Sequence, residues 1–580
     1  MFFFSALTYA SLLGLIAAPI LGIVFGICLV RFFSQKESSG KRYRFLWWIS
    51  LVLSLLCAAS TALSLTHTWS TAIGADIASR LGGAAHILEL PVVRTLYRLF
   101  LNHPRTVLYV CGGMLGIFSL PCLSFVIGRT ICYLVRSVKK LHISSFKDAL
   151  CRNHLPKALL KGVLVVVCSL IVAVLLGSAV MTAVYSIPTD PIEKNVAASA
   201  EMIAEGGCTP NLFFWCHSSL DRFTDSIMLL EAADPTEDTA LRKAMLAYRE
   251  HVEGCETPTD TLIHLYLGEN VSSNETKTVT YPRYWHGYQV FVKPLLSVMT
   301  YQSLLIVNLL LQILLAAILC FVLYKRSCSR LILPFLTVYL IMMPPVIGNC
   351  LQYSTCYYLA ICGMILLLLT KADKRPLLRF FIFLQLGILT AFFDFLTYPI
   401  VTYALPFTLY LFLVRRESAE GKLIDLVKTG FGWVIGYGGM WASKWIVGSL
   451  LTGTNVLTDA MNAVSVRTSH TTESLGYNPI LGVIGKNLIA LLSTPAVILL
   501  VVLCLRLLSL RQRHVERNLL PYFAVGILPL LWYGVTANHA SIHYLFTSYS
   551  GTAALIALLF ALTDRFEPCE TDNQEDPKHG

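Results

Sequence analysis

Charged residues are scarce. Asp, Glu, Lys and Arg make up 14% of the 580 residues, where a soluble domain carries about 25%. So small a share excludes a water-solvated surface over most of the chain. No Lys/Arg-rich block with interleaved aromatics is present, which argues against a nucleic-acid partner. The net charge of +11 comes instead from basic residues spread over short loops. No CxxC pair or Cys/His cluster has zinc spacing, and the 17 cysteines fall mostly inside apolar runs. There they act as small hydrophobes. The N-terminal stretch MFFFSALTYASLLGLIAAPILGIVFGICLVRFF lacks a basic n-region and a small-x-small cleavage site. It reads as a retained span rather than a signal peptide.

What is abundant is apolar sequence: 56% hydrophobic residues and a mean hydropathy of +0.65. These residues fall in runs of roughly 20, the length a helix needs to cross about 30 Å of hydrocarbon. Lipid offers nothing to an unpaired amide, so each run is expected to be helical. The expected fold is all-α, a polytopic transmembrane bundle with a mainly helical extracytoplasmic domain. Spans are expected near 8–30, 45–66, 107–128, 162–185, 302–323, 331–348, 354–370, 377–393, 398–414, 429–450, 487–507, 519–536 and 546–563. That makes about thirteen.

Charge sets the expected orientation. The segments 31–44, 129–161, 325–330, 371–379, 415–428, 506–517 and the tail hold 30 of the 45 Lys/Arg. The short loops around 349–353, 394–397 and 537–545 hold none. Basic loops stay in the cytoplasm. The expectation is a multi-pass plasma-membrane protein with its N-terminus and residues 187–297 outside and its C-terminus inside. Residues 67–106, with four arginines, fit less well and read as amphipathic helices on the membrane surface. The domain order expected is 1–160 (three spans and a basic loop), 161–186 (first core span), 187–297 (outer domain), 298–563 (about nine spans) and 564–580 (polar tail).

The outer segment carries 8 Lys/Arg against 16 Asp/Glu, as suits a translocated domain. Ser218 and Asp221 read as a capping box ahead of SLDRFTDSIMLLEAA, which Asp234-Pro235 ends. A second helix is expected over 236–254 and a third over 259–267, and GENVSSNETKT reads as a loop. Its Asn270 and Asn274 are glycan acceptors only in a eukaryotic secretory lumen. Cys208, Cys216 and Cys255 allow one disulfide at most in this segment, with Cys208–Cys216 as one option.

Ionisable residues at a membrane mouth are functional candidates by default. Asp221 and Asp225 share a helix face and suit a general base or a divalent cation. Asp221 equally suits a helix cap, and Asp225 a solvated face. Asp394 sits between two spans among aromatics, as a functional acid or as a cap in a tight turn. Lys444, flanked by Trp441 and Trp445, either snorkels to headgroups or holds a lipid-linked phosphate. Gly436, Gly438 and Gly439 beside it suit close helix or ligand approach. Arg467 offers a planar fork for phosphate, or is a plain loop arginine beside His470. His539 and His543 are four apart, but no HExxH glutamate accompanies them, so hydrogen bonding to a substrate, or a role as plain interfacial histidines, is the better reading. In YPRYWHGYQVFVKPL, Arg283 and His286 stand among aromatics that suit either an interfacial belt or a sugar face.

This layout, a span followed by a large acid-bearing outer loop and about nine more spans, resembles the GT-C superfamily of membrane glycosyltransferases over roughly residues 160–563. The motifs FTDSIMLLEA, YPRYWHGYQVF, FFDFLTYP and NHASIHYLFT look like those of a family of bacterial multi-spanning envelope proteins, and none is a defining GT-C signature. The resemblance implies a polyprenyl-phosphate-linked sugar donor, membrane lipids as surroundings, Asp225 or Asp221 as base, Asp394 as a second acid, and room for a divalent cation. Asp221 departs from the usual pattern, lying about 35 residues beyond the first core span. A transporter is the main alternative, for which Asn349 and Gln352 after Pro344-Pro345 are the best feature. A non-catalytic envelope protein is the third.

Overall fold

The computed structural model describes residues 155–213, 218–268, 275–469, 480–509 and 518–567, with short pieces at 133–135, 137–141, 471–472, 476–477 and 513–514. The expected spans at 8–30, 45–66 and 107–128 lie outside the described residues. So do residues 67–106, Cys216, the Asn270 and Asn274 acceptors, His470 and most of the tail. The chain divides into two compact units. In the smaller, the described residues are 133–135, 137–139, Phe213 and Leu492–Leu505. The site described below lies in the larger.

The described chain is mostly helical. Helix α1 (Leu155–Tyr185) leads into an insert of short elements: α2 (Asp190–Ala197), α3 (Ala200–Gly206), α4 (Arg222–Ala232), α5 (Ala240–Leu246), β1 (Tyr248–Val252), α6 (Pro258–Leu267), β2 (Thr276–Thr280) and α7 (Gln289–Leu296). Long apolar helices follow: α8 (Tyr301–Lys325), the broken pair α9 (Ile332–Ile341) and α10 (Pro344–Gly348), α11 (Leu351–Thr370), α12 (Pro376–Phe393) and α13 (Ile400–Leu413). Then come α14 (Ala419–Thr452), α15 (Val456–Thr468), α16 (Ile480–Leu492), α17 (Val497–Ser509), α18 (Leu520–Val535), α19 (Ala537–Ile542), α20 (Tyr544–Thr547) and α21 (Thr552–Arg565).

Among the described residues, five helical stretches are long and apolar enough to cross a membrane: Gly162–Tyr185, Tyr301–Lys325, Leu351–Thr370, Pro376–Phe393 and Tyr544–Arg565. The first is almost bare, with 6% of its apolar window buried. Leu175 and Leu310 are 65% and 60% exposed. Such uncovered apolar faces suit a lipid surround and not water.

Several expectations need correction. Ser218 is not the cap of α4; Asp221 is, accepting from the Thr224 amide at 3.0 Å. The helix expected over 236–254 stops at Leu246, where Ala247 turns left-handed at φ 48°. The next five residues form β1, antiparallel to β2, so part of the expected loop is strand. The fold is therefore not purely helical. Cross-strand pairing overrode helix propensity here. The span expected over 331–348 breaks at Met343 (φ 54°), ahead of Pro344-Pro345. The carbonyls left open at the end of α10 are taken in-house. Asn308 Nδ2 donates to Gly348 O at 2.9 Å, and the Ser354 hydroxyl donates to Ile347 O at 3.0 Å. The span expected over 487–507 is likewise interrupted, between Leu492 and Val497.

Helices α12 and α14 pack through small residues. A Cβ on Gly387 would strike the Trp433 carbonyl, and one on Gly436 the Leu384 carbonyl. Gly438, two residues on, has no heavy atom within 4 Å of such a Cβ. Gly436→Ala is expected to cost about 1–3 kcal/mol by overpacking, and Gly438→Ala to be neutral or slightly stabilising. Thermal unfolding of the two variants in detergent checks the contrast. Equal melting temperatures would contradict this packing.

Candidate functional site

Two polar centres stand out. The first fastens the insert to the long helices. Asp225, one helical turn into α4, is 1% exposed. Its carboxylate accepts from the Leu351 and Gln352 amides at 3.1 and 3.2 Å, capping the start of α11. The Tyr301 hydroxyl donates to the same carboxylate. Arg222 lies 3.7 Å away and donates to Tyr301 in turn. Burial pushes the Asp225 carboxyl above its usual range, against the pull of Arg222, Tyr301 and the two amides. Its solvated-face reading does not hold. Asp221 is held by Thr224, and burial pushes its carboxyl up to about 6. Both acids are thus engaged in holding backbone.

Lys444 is equally committed. It does not snorkel, being fully buried. Its ammonium donates to the Met245 carbonyl at 2.9 Å and the Ala244 carbonyl at 3.3 Å. These are the last carbonyls of α5, so Lys444 is a C-terminal cap supplied from a distant helix. Lys293 does the same for α4, donating to Ala232 O at 2.6 Å.

The second centre surrounds Asp394. This residue ends α12 and accepts from the Thr397 amide at 2.9 Å and from the Thr397 hydroxyl. Burial pushes its carboxyl up to about 6. The turn is tight enough to drive Leu396 to φ 64°. Two separate segments grip it. From the insert, the Gly287 amide donates to Phe392 O at 2.9 Å. A Cβ at Gly287 would collide with Phe392, so glycine is required there. His286, itself at φ 55°, sets its ring edge-on to Phe395 with centroids 5.1 Å apart. Tyr284 meets the same ring at 5.0 Å. From α19, His539 Nε2 donates to the Leu396 carbonyl at 2.8 Å. Behind His286 lies a fully buried acid, Glu231, 3.0 Å from His286 Nδ1 and bonded by the Tyr288 hydroxyl.

Beside this turn is a small cleft of ≈ 10 Å³, lined by Arg283, Tyr284, Trp441, Trp445, Ala460, Val464 and Arg467. That is room for about one water, where a drug-sized ligand needs roughly 300–1,000 Å³, so the cleft as it stands holds no headgroup. Arg283 is paired with Asp459, both oxygens at 3.1 Å. Arg467, at the end of α15, lies over the Tyr284 ring at 5.4 Å. Among the described residues no carboxylate pairs with it. Its charge is felt at His539 and His543, which burial already holds low, His543 at about 4. Their rings lie 4.7 Å apart. Among the described residues no group of three His, Cys, Asp or Glu gathers to hold a metal.

The structure therefore brings together Asp394, His286, Arg283, Arg467, His539 and His543. It places Asp225, Asp221 and Lys444 in structural contacts elsewhere. Sequence reasoning missed Tyr284, Asn538 and Glu231. Asn538 directly precedes His539, and Glu231 is a lone acid in MLLEAA, a signal that was there to be read. Cys208 is a free thiol, 3.2 Å from the Thr257 hydroxyl. No family model matches the chain, and no curated protein or solved structure matches it either.

Removing the charge of Asp225 strands a buried Arg222. Asp225→Asn is expected to cost about 3–5 kcal/mol, and Asp221→Ala only about 1 kcal/mol as a lost cap. Thermal unfolding checks the order. An Asp225→Asn protein as stable as Asp221→Ala would contradict the fastening role.

Proposed function

We propose that this chain is a GT-C-like membrane glycosyltransferase. It would move a sugar from a polyprenyl-phosphate carrier to an acceptor on the outer face of the membrane, with Asp394 as base. The observation that supports the reading is convergence. Motifs from residues 281–288, 392–399, 467 and 539–543 meet at one turn beside one cleft. Sequence alone put each of these on the outer side. Asp225, the first choice by analogy, is the weaker candidate, because its carboxylate is taken by two amides, Tyr301 and Arg222. The transporter reading has less support. Asn308 and Ser354 take the carbonyls at the end of α10, and Asn349 bonds locally to Pro345 O at 2.8 Å.

In this mechanism the Asp394 carboxylate removes the proton of an acceptor hydroxyl. The freed oxygen attacks the anomeric carbon, and the bond from that carbon to the lipid-phosphate oxygen breaks. The phosphate leaves with the electron pair, stabilised by Arg467. The Thr397 amide and hydroxyl hold the base in position. The cleft itself holds only ≈ 10 Å³, so the headgroup would have to part the side chains around it, while the lipid tail remains in the bilayer. A divalent cation, if one is used, would come with the phosphate.

The test is release of polyprenyl phosphate from labelled lipid-linked sugars by purified protein. Asp394→Asn is expected to lower kcat by about 100-fold or more. The base must be ionised, so kcat/KM is expected to fall as pH drops through about 6. Burial holds His543 down at about 4 and pushes His539 well below its usual range, so neither is the source expected for this acid limb. Full turnover by Asp394→Asn, or no acid limb in that range, would contradict the role given to this acid.

A further inference from the structure

Four of the five membrane-length stretches meet a cation at the same end of the bundle. Tyr301–Lys325 closes on Lys325, Leu351–Thr370 runs into Lys371, Pro376–Phe393 follows Arg375, and Tyr544–Arg565 closes on Arg565. At the end that carries the insert, the same stretches are bounded by Tyr301, Leu351, Phe393 and Tyr544, with no cation among them. Helix α8 has 25 residues. At 1.5 Å per residue it separates the two ends by about 37 Å, more than the hydrocarbon thickness of about 30 Å.

The loops at the far end are drawn together by charges facing inward. Arg379 pairs with Asp425 at 2.8 Å, Lys422 Nζ donates to Arg415 O at 3.0 Å, and Arg330 donates to Thr563 O at 3.1 Å. What is left on the outside is nearly all of one sign. Within 325–330, 371–376 and 415–428 six cations are exposed: Lys325, Lys371, Lys374, Arg375, Arg416 and Lys428. Against them stands one exposed carboxylate, Glu417.

These cations adjoin bare apolar side chains of the same helices. Tyr324 is 65% exposed, Leu369 63%, Leu377 56% and Val427 67%. Lys325 Nζ lies over the Phe321 ring, 5.5 Å from its centroid. A soluble anion would match the charge and leave the apolar faces uncovered. A phospholipid with an anionic headgroup matches both, with its acyl chains on the helices and its phosphate on the cations.

We propose that this rim binds anionic phospholipid in the leaflet away from the insert, with the turn at 371–375 as its densest contact. The inference rests on no part of the transferase reading. Each cation at a charged membrane surface is worth about a 5-fold change in binding.

Purified full-length protein in a neutral detergent is mixed with phosphatidylglycerol, phosphatidylcholine or inorganic phosphate. Bound lipid is counted by native mass spectrometry, and melting is followed in parallel. Phosphatidylglycerol is expected to be retained and to raise the melting temperature, and the other two probes to do neither. The preference should fade between about 0.1 and 1 M salt, as the screening length falls from about 10 to about 3 Å. Lys371→Gln/Lys374→Gln/Arg375→Gln should weaken phosphatidylglycerol binding by about 10-fold or more. Lys325→Gln/Lys428→Gln, on two other helices, should weaken it by about 5-fold or more. Lys194→Gln/Lys277→Gln, two exposed cations of the insert, should leave it unchanged.

Equal retention of the two lipids, phosphate binding as tight as phosphatidylglycerol, or full retention by the triple variant would overturn the proposal. So would an equal loss in the insert variant, the mark of diffuse charge and not of a rim.

Discussion

A buried polar group with no water in reach must find its partner inside the protein, and this molecule is arranged around that constraint. In hydrocarbon or in a dry interior an unpaired carbonyl or charge is expensive. The chain meets the demand with side chains sent from far away in sequence. Asp225 caps α11 across 126 residues. Lys444 caps α5 across 199. Asn308 reaches the Gly348 carbonyl, left open at the end of α10, across 40. Arg379 and Asp425 pair at 2.8 Å, with the Tyr410 hydroxyl on the same carboxylate. Each is a point where two elements are fixed relative to each other because neither can satisfy itself.

Against that background the exceptions carry information. Around the Asp394 turn, His539 Nδ1, Asn538 Oδ1, the Tyr284 and Tyr437 hydroxyls and the Trp441 indole nitrogen are buried without partners among the described residues. Arg467 lies close by over the Tyr284 ring, and among the described residues no carboxylate pairs with it. Strain gathers here as well, at His286 and Leu396, both non-glycine residues with positive φ. Strain and unmet hydrogen-bonding capacity persist where surrounding structure enforces them, and they cluster at ligand sites. The same segment of the insert that packs on Phe395 also ends at the Glu231–His286 pair. The acid-bearing turn and the insert are therefore one mechanical piece.

Much of the helical framework was legible from apolar run length alone, since a run of that length and polarity has few alternatives. The runs at 302–323, 354–370 and 377–393 coincide with α8, α11 and α12. Local chemistry was legible too: Asp234-Pro235 stops α4, and α6 spans 258–267. What could not be read was anything set by a remote partner. The end of α5 depends on a lysine nearly two hundred residues away, and β1 exists only because β2 comes to pair with it. Asp225 looked like an exposed acid because its partners, Tyr301 and the start of α11, are invisible to local pattern. The Asp394, Arg467 and His539 segments could each be noticed, but their meeting is a tertiary fact.

The central claim is that the Asp394 turn is held by partners from distant segments, His539 and the Gly287 amide among them. Hydrogen exchange at the amides of residues 392–399, in the full chain in lipid nanodiscs, tests it most directly. Faster exchange there in His539→Ala than in the unmodified protein is expected. Unchanged exchange would contradict it.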